Sequence, residues 1–398
     1  MFDEDASTTG APNASAAVPA GALVAPRAAR SGAGLSRPED ARSHNRAKVL
    51  QSLYRGAGLS RADVARELGL TRVTISDVVA ELLAENLVVE LGLRADSRPG
   101  KPATLLDINR AGFHVIGIDL SSSTTFRGVI TDLSGTVVAR DEIEVARLTG
   151  AAAIAATGQL IEDLVAKAER PVIGVGVGSP GLVDGDGNVL SAPGLGWSEL
   201  PLQRMLESRV GLPVLVANDA NVAALAERTF GGGSDDMIVV RIGRGVGSGL
   251  VVAGQPVLGS RWAAGEIGHV VVGTDEGERC LCGKRGCLET WLGAPRVEAK
   301  LAAAADQAER DEILREAGGR LGIALAPVVG ALNLSEVVVA GPLELLDAAF
   351  MDGLGETLRQ RTMAELHGDL TLRATTLARD IVVLGAVVMV LTGQLGVS

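Results

Sequence analysis

The chain has 398 residues, of which 47% are hydrophobic, and its 37 Lys and Arg against 48 Asp and Glu leave a net charge of −11. So long and apolar a chain can bury a large core, and two or three domains are expected. The 51 glycines and the 2% of aromatic residues suit an α/β protein better than a repeat or fibrous one.

Residues 1–40 are rich in Ala, Ser, Pro and Gly, include Asp3, Glu4 and Asp5, and contain no continuous apolar run. They are expected to form a disordered tail and not a signal peptide. The charge then divides. Arg27 to Arg110 holds 14 Lys and Arg against 10 Asp and Glu, whereas the chain from Ala111 onward holds 23 against 35. A modestly basic module ahead of an acidic body is the asymmetry of a DNA-binding head joined to a sensor.

Residues 41–108 carry the pattern of such a head. Between Arg42 and Leu53, Ala47, Leu50 and Leu53 recur at helical spacing. Ser60 then caps a second helix, with Asp63 as capping-box partner and Gly69 as its stop. Thr71 caps a third, in which Val78, Leu82 and Leu83 face inward. Two helices joined by a short turn, the second opening on Thr, Arg and Ser, make a helix-turn-helix. Its recognition helix is expected to present Thr71, Arg72, Thr74 and Ser76 to DNA, with Asp77 beside them. LVVELGL and ATLLDIN read as two strands enclosing Arg94, Arg98 and Lys101, a basic wing. A small helical interaction domain with ordinary surface charge is the competing reading.

Residues 109–398 form the body. Val115–Leu120 is a near-continuous apolar strand, followed by RGVITDLSGTVVAR with a hairpin turn at Ser134–Gly135. Val172–Val177, Val214–Ala217, Met237–Ile242 and Glu336–Ala340 are further parallel-strand candidates, and alternation with helices argues for doubly wound α/β lobes. Asn218 and Asp219 stand where a strand end opens a helix, a place where a lone Asp is usually a cap. Ile381 to Leu391 is apolar but too short to span a bilayer, so it reads as a buried helix with no membrane role.

The densest motif is GEIGHVVVGTDEGERCLCGKRGCLE, residues 265–289. His269, Cys280, Cys282 and Cys287 supply three thiolates and one imidazole, the ligand set of a closed tetrahedral structural Zn2+ site. Gly283 and Gly286 let so short a loop fold back around one ion. Buried free thiols beside an unrelated histidine would be the alternative. All three cysteines are thereby engaged, so no disulfide is implied and a reducing cytoplasm is expected. Glu266 and His269 are three apart and would share one side of a helical turn.

This motif resembles the signature of the ROK family (repressors, open reading frames and sugar kinases), GEIGH followed by CxCGxxGCLE. The resemblance implies a two-lobed actin/hexokinase-like body, with lobe one about 109–217 plus 381–398 and lobe two about 218–380. It also implies that zinc pins a loop while Glu266, His269 and Glu289 hold sugar hydroxyls. Asn218 and Asp219 would join them, Asp219 being the base in an active kinase. The N-terminal halves of ROK repressors look similar to residues 41–108.

Three nucleotide elements depart from the family's kinases. The DxGGT turn is Asp119-Leu120-Ser121-Ser122-Ser123, without its glycines. The GTGxGxG loop reads Gly243-Arg244-Gly245-Val246-Gly247-Ser248-Gly249, and a GG turn is Gly341-Pro342, where proline lacks an N–H. Together they predict no ATP turnover. Gly194 stands where the family often has a sugar-contacting Asn, and Arg244 offers a guanidinium that could pair with a sugar phosphate. The expected protein is a sugar-responsive regulator, a repressor, that binds a DNA operator as a homodimer or homotetramer. An active ROK sugar kinase, and a regulator whose sugar pocket is vestigial, are the alternatives.

Overall fold

The structure, a computed structural model, describes residues 38–93, 103–273, 277–366 and 370–398. The expected tail up to residue 37, and wing residues Arg94, Arg98 and Lys101, lie outside the described residues. The head opens with α1 (Pro38–Arg55), three residues ahead of the expected boundary at 41. It continues through β1 (Leu59–Ser60), α2 (Arg61–Leu68), α3 (Arg72–Ala84), β2 (Val88–Leu93) and β3 (Thr104–Ile108). Ser60 Oγ accepts from the Asp63 amide while the Asp63 carboxylate accepts from the Ser60 amide, the reciprocal box that two spare N–H groups at a helix start require. Gly69 ends α2 at φ 64°, a left-handed stop that turns the chain into α3. The strands pair in the order β1-β3-β2, with β3 against α1 and α2 and β2 against α3.

Lobe one carries β4 (His114–Asp119), β5 (Thr125–Thr131), β6 (Val137–Glu144), α4 (Gly150–Lys167) and β7 (Val172–Ser179). A small side sheet of β8 (Leu182–Val183), β9 (Val189–Ala192) and β10 (Trp197–Leu200) precedes α5 (Leu202–Val210) and β11 (Val214–Asn218). The main sheet runs β11-β7-β4-β5-β6, with β11, β7 and β4 parallel. All six residues of β4 are buried, as a strand covered on both faces must be, whereas β6 at the edge alternates half-buried and exposed.

Lobe two follows with α6 (Asp219–Phe230), β12 (Met237–Ile242), β13 (Val246–Val252), β14 (Gln255–Val257), α7 (Leu288–Leu292), α8 (Ala294–Ala303), α9 (Gln307–Leu332), β15 (Glu336–Ala340), α10 (Ala348–Arg361) and β16 (Thr371–Ala374). Its sheet runs β14-β13-β12-β15-β16. Of these, β13, β14 and β16, like the small side sheet, are absent from the sequence reading.

The last helix, α11 (Ile381–Val390), packs on α6, β4 and β7 and so joins the lobes. Residues 378–395 are apolar enough by composition to cross a membrane, but 61% of that stretch is buried inside the protein, and a helix apolar all round is what a core position demands. A Cβ on Gly385 would lie 1.8 Å from the Val222 carbonyl oxygen, which is how closely α11 meets α6. The head is not a loose appendage. Leu50, Leu53, Ile75 and Leu106 share one hydrophobic cluster with Phe113, Val115, Val387 and Leu391 of the body.

Candidate binding site and metal centre

Strands β4, β7 and β11 all finish on the same side of lobe one, and in an open α/β sheet the carboxyl ends of strands are where side chains can reach a ligand. Asp119 ends β4 and Asn218 ends β11. Asn218 caps α6: its Oδ1 accepts from the Ala220 and Asn221 amides at 2.9 and 3.0 Å, and its Nδ2 donates to the Gly181 carbonyl at 2.8 Å. One amide N–H is left to face a ligand. Asp219, the first residue of α6, is 8% exposed. Burial pushes its pKa up; the nearby Arg241 opposes this, and Asp119 adds to it.

Arg241 was not foreseen as a site residue. It lies in β12, at the centre of the lobe-two sheet, and its guanidinium donates to Asp219 Oδ2 and to Ser121 Oγ, both at 2.5 Å. Its signal in the sequence is a charge inside the otherwise apolar run Met237–Ile242. Ser121 also turns its amide onto Asp119 Oδ1 at 2.8 Å. Ser121 thus joins Arg241, Asp219 and Asp119 in a polar knot that links the two lobes.

Glu266 and His269 lie on a short 3-10 turn over 267–269, for which Glu266 is the N-cap. The glycines of the motif explain where that turn sits. A Cβ on Gly265, at φ 91°, would come 2.0 Å from the Ser248 carbonyl oxygen, and one on Gly268 2.0 Å from that of Val246. Only bare backbone lets the turn lie directly on β13. Burial raises the Glu266 pKa, His269 lowers it, and the carboxylates of Asp219 and Glu289 raise it again, which brings the three acids into one electrostatic neighbourhood. Glu289, on α7, accepts from the Val246 amide at 3.4 Å.

Beside these acids, one ligand atom from each of His269, Cys280, Cys282 and Cys287 falls within 4.8 Å of every other. Cys280 Sγ is 3.5 Å from His269 Nδ1, and the Cys282 and Cys287 sulfurs are 3.6 Å apart. Four ligands at tetrahedral angles about an ion bonded to sulfur at about 2.3 Å would sit roughly 3.5–3.8 Å apart, so the group fits a metal. Burial, reinforced by the two other thiols, pushes the Cys287 thiol up to about 12, and a backbone amide from Lys284 lowers Cys282. A cation among them would supply the charge that stabilises all three as thiolates. Because Nδ1 faces the sulfurs, Nε2 is the imidazole nitrogen left for another partner.

On the head, Thr71 Oγ1 accepts from the Thr74 amide at 3.2 Å and lies 2.9 Å from the Thr74 hydroxyl, so both threonines serve the cap of α3. Arg72, Val73, Ser76 and Asp77 are exposed along one face, while Ile75, Val78, Val79 and Leu82 are buried. Val73 is 71% exposed and was not among the residues expected on this face. Arg244 is exposed and Gly194 has open space where a Cβ would be.

A two-lobed α/β body with acidic side chains at its strand ends, a Cys3His group beside them and a helical, helix-turn-helix-like head in front is a member of the actin/hexokinase fold. The family profile described as ROK family matches residues 115–392, and the chain belongs to that family. A putative xylose repressor from Caldicellulosiruptor sp. (strain Rt8B.4) is 28% identical over 88% of this chain and 96% of its own length. A glucokinase from Halalkalibacterium halodurans is 29% identical, but over 68% of this chain and 92% of its own. Among solved structures, a ROK family transcriptional regulator, homolog of the E. coli MLC protein, shares the fold at TM-score 0.79 and 24% identity, over 89% of this chain and 97% of its own.

Proposed function

We propose that this protein is a sugar-responsive, DNA-binding transcriptional regulator, a repressor of carbohydrate-utilisation genes, and that it does not phosphorylate its sugar. The observation that carries this reading is the head itself. The similarity to the xylose repressor runs through head and body together, whereas the glucokinase matches about two thirds of the chain. In this reading residues 41–108 bind an operator, with Arg72 and Ser76 of α3 at base edges, Thr71 and Thr74 shaping the helix start, and Arg94, Arg98 and Lys101 reaching phosphates. The body, residues 109–398, holds the sugar between lobe one (109–217 plus 381–398) and lobe two (218–380). Asn218, Asp219, Glu266, His269 and Glu289 hydrogen-bond its hydroxyls.

The metal is zinc, held by His269 through Nδ1 and by Cys280, Cys282 and Cys287. Bound there, zinc would supply no reaction chemistry; it would hold the His269 ring through Nδ1, leaving Nε2 for a sugar hydroxyl, and would tie the loop to the start of α7 at Cys287. Against kinase activity stand the three altered nucleotide turns and the pairing of Asp219 with Arg241. Arg241 engages Asp219 Oδ2, so one oxygen of the would-be base already has a partner, although burial keeps the carboxyl pKa raised. The protein works in the cytoplasm as a dimer or tetramer, since two-fold operators call for two heads.

The test is binding of the purified protein to DNA from upstream of its own locus, at one fixed physiological salt concentration, with and without a panel of sugars and sugar phosphates. Specific binding that one sugar weakens is the expected result. Binding indifferent to every sugar would leave a regulator with a vestigial pocket, and ATP consumption with a hexose would reinstate the kinase.

A further inference from the structure

Trp262 holds a backbone conformation that a bulky side chain does not favour. Its φ of 59° lies in the left-handed region, and it is the one aromatic residue found there among the described residues. Two hydrogen bonds shape the turn: its amide donates to the Gly259 carbonyl at 3.4 Å, and the Ala264 amide to that of Leu258 at 3.1 Å. Backbone outliers of this kind persist only where the surroundings over-determine them, and they gather at functional sites. The indole is 36% exposed and joins none of the hydrophobic clusters, so neither lobe's core requires it.

What the ring touches is the other lobe. Trp262 follows β14 in lobe two, yet it lies on Gly185, in the lobe-one turn between β8 and β9. A Cβ on Gly185 would come 2.3 Å from Trp262 Cζ2, 2.4 Å from Cη2 and 3.1 Å from Cε2, its three nearest neighbours. Only a bare Cα leaves room for the ring. The turn beneath is firm on its own account. Asp184 Oδ1 accepts from the Asp186 and Asn188 amides, each at 2.9 Å, and Asp184 Oδ2 from Asn188 Nδ2 at 2.8 Å.

Both ends of this contact are tied to the proposed sugar site. Gly185 is four residues from Gly181, whose carbonyl accepts from Asn218 Nδ2, and Trp262 is four residues from Glu266. Four residues of chain reach ~14 Å at most. The ring therefore bridges the Asn218 wall and the Glu266 wall close to where each carries its polar side chain. Hydrogen bonds from two walls to one ligand weaken steeply when the walls are wrongly spaced.

We propose that Trp262 is a positioning residue of the sugar site: seated on Gly185, its indole sets the spacing at which Asn218 on one wall and Glu266 on the other hold the same sugar. The inference rests on the sugar-binding reading above. It adds a residue that works through spacing and not through a hydrogen bond to the ligand.

The experiment is calorimetric titration of the zinc-loaded full chain with D-xylose, D-glucose and N-acetyl-D-glucosamine, for the parent, Gly185→Ala, Trp262→Gly and the double variant. The φ of Gly185 lies outside the left-handed range, so Ala fits the backbone there and its methyl meets the ring first. Gly adopts the φ of Trp262 freely, so that variant is expected to fold with its zinc. Each single variant is expected to weaken the tightest-binding sugar by about tenfold. The double variant should bind no more weakly than Trp262→Gly alone, because without the ring the added methyl has lost its obstacle. Parent-like affinity in Gly185→Ala overturns the inference and leaves the sugar-binding reading standing. So does a Gly185→Ala effect that persists at full size without the indole, which is what a merely structural role of the turn would give. Binding of none of the three sugars by the parent overturns both. If Trp262→Gly does not fold, Gly185→Ala against the parent decides alone.

Discussion

His114 opens β4, 7% exposed, and its Nδ1 has no hydrogen-bond partner among the described residues. Burial, then the charge of Arg170, hold its pKa below the ordinary 6.5, against weaker upward pulls from Glu169 and Asp132. The unfolded chain therefore binds a proton at a pH where the folded one does not. The stability this confers is complete above pH 6.5 and is lost as pH falls through the depressed folded value. His114→Gln removes the titration: its urea midpoint should change less than that of the parent between about pH 7 and 5. Parallel curves for the two proteins would show that His114 is not the group responsible. Asp219 shows the same physics from the other side, since burial raises it and a guanidinium must stand against that. A local reading of Asp219 as cap or base could not see this partner, 22 residues further along the chain.

The elements divide into those made by local rules and those made by distant contacts. The boundaries of α2 and α3 follow from Ser60, Asp63, Gly69 and Thr71, each acting within three or four residues, so they could be read directly. The loop from 277 to 287 is different. Its ladder contacts among the described residues are the single bridges Val271 to Cys287 and Arg279 to Arg285, beside scattered backbone hydrogen bonds such as those from the Cys280 amide to Lys284 and from the Gly286 amide to Glu278. The four side chains that could hold a metal lie on this loop and on the turn beside it. Cys282 is exposed, so Cys282→Ser costs little packing, and its effect isolates the ligand. The expected outcome is loss of bound zinc by elemental analysis, with a weaker response of DNA binding to sugar. Full zinc content with an unchanged response would contradict the assignment. Strands β13 and β14 escaped the sequence reading because glycines at 243, 245, 247, 249 and 254 suggest loop. Yet Gly249 is there because a Cβ would lie 2.4 Å from the Ala220 carbonyl oxygen of α6.

At the scale of the whole molecule, a signal in the body has a physical route to the head. Asn218 and Asp219 begin α6, α6 packs tightly on α11, and the residues after α11 return to the head. There Gln51 of α1 exchanges two hydrogen bonds with the Ser398 backbone, both at 3.0 Å, and Val397 is 1% exposed in the shared core. Such contiguity is a hypothesis of coupling until the coupling is measured. Deleting Val397 and Ser398 removes one buried Val, about 1.5–3 kcal/mol of burial, together with the Gln51 bonds. The head retains Leu50, Val64, Ile75 and Leu82 in its own core. Operator affinity without sugar should therefore survive, while the sugar-induced change shrinks by about fivefold or more, the low end of usual coupling energies. A truncated protein that releases DNA at the same sugar concentration as the parent would place the coupling elsewhere.

By itself the sequence determined what depends on short spacing. The capped helices of the head, the acidic body behind a basic module, the Cys3His cluster with its flanking glutamates and the apolar parallel strands all follow from residues that act on near neighbours or recur at a fixed period. The tertiary structure decided what depends on residues far apart in the chain meeting in space. It brought Arg241 to Asp219 and Ser121 and merged the head with lobe one in a single core. The physical reason is that capping and period are properties of a segment. Burial and charge pairing belong to the assembled interior, where the cost of each buried group depends on which partner the fold supplies.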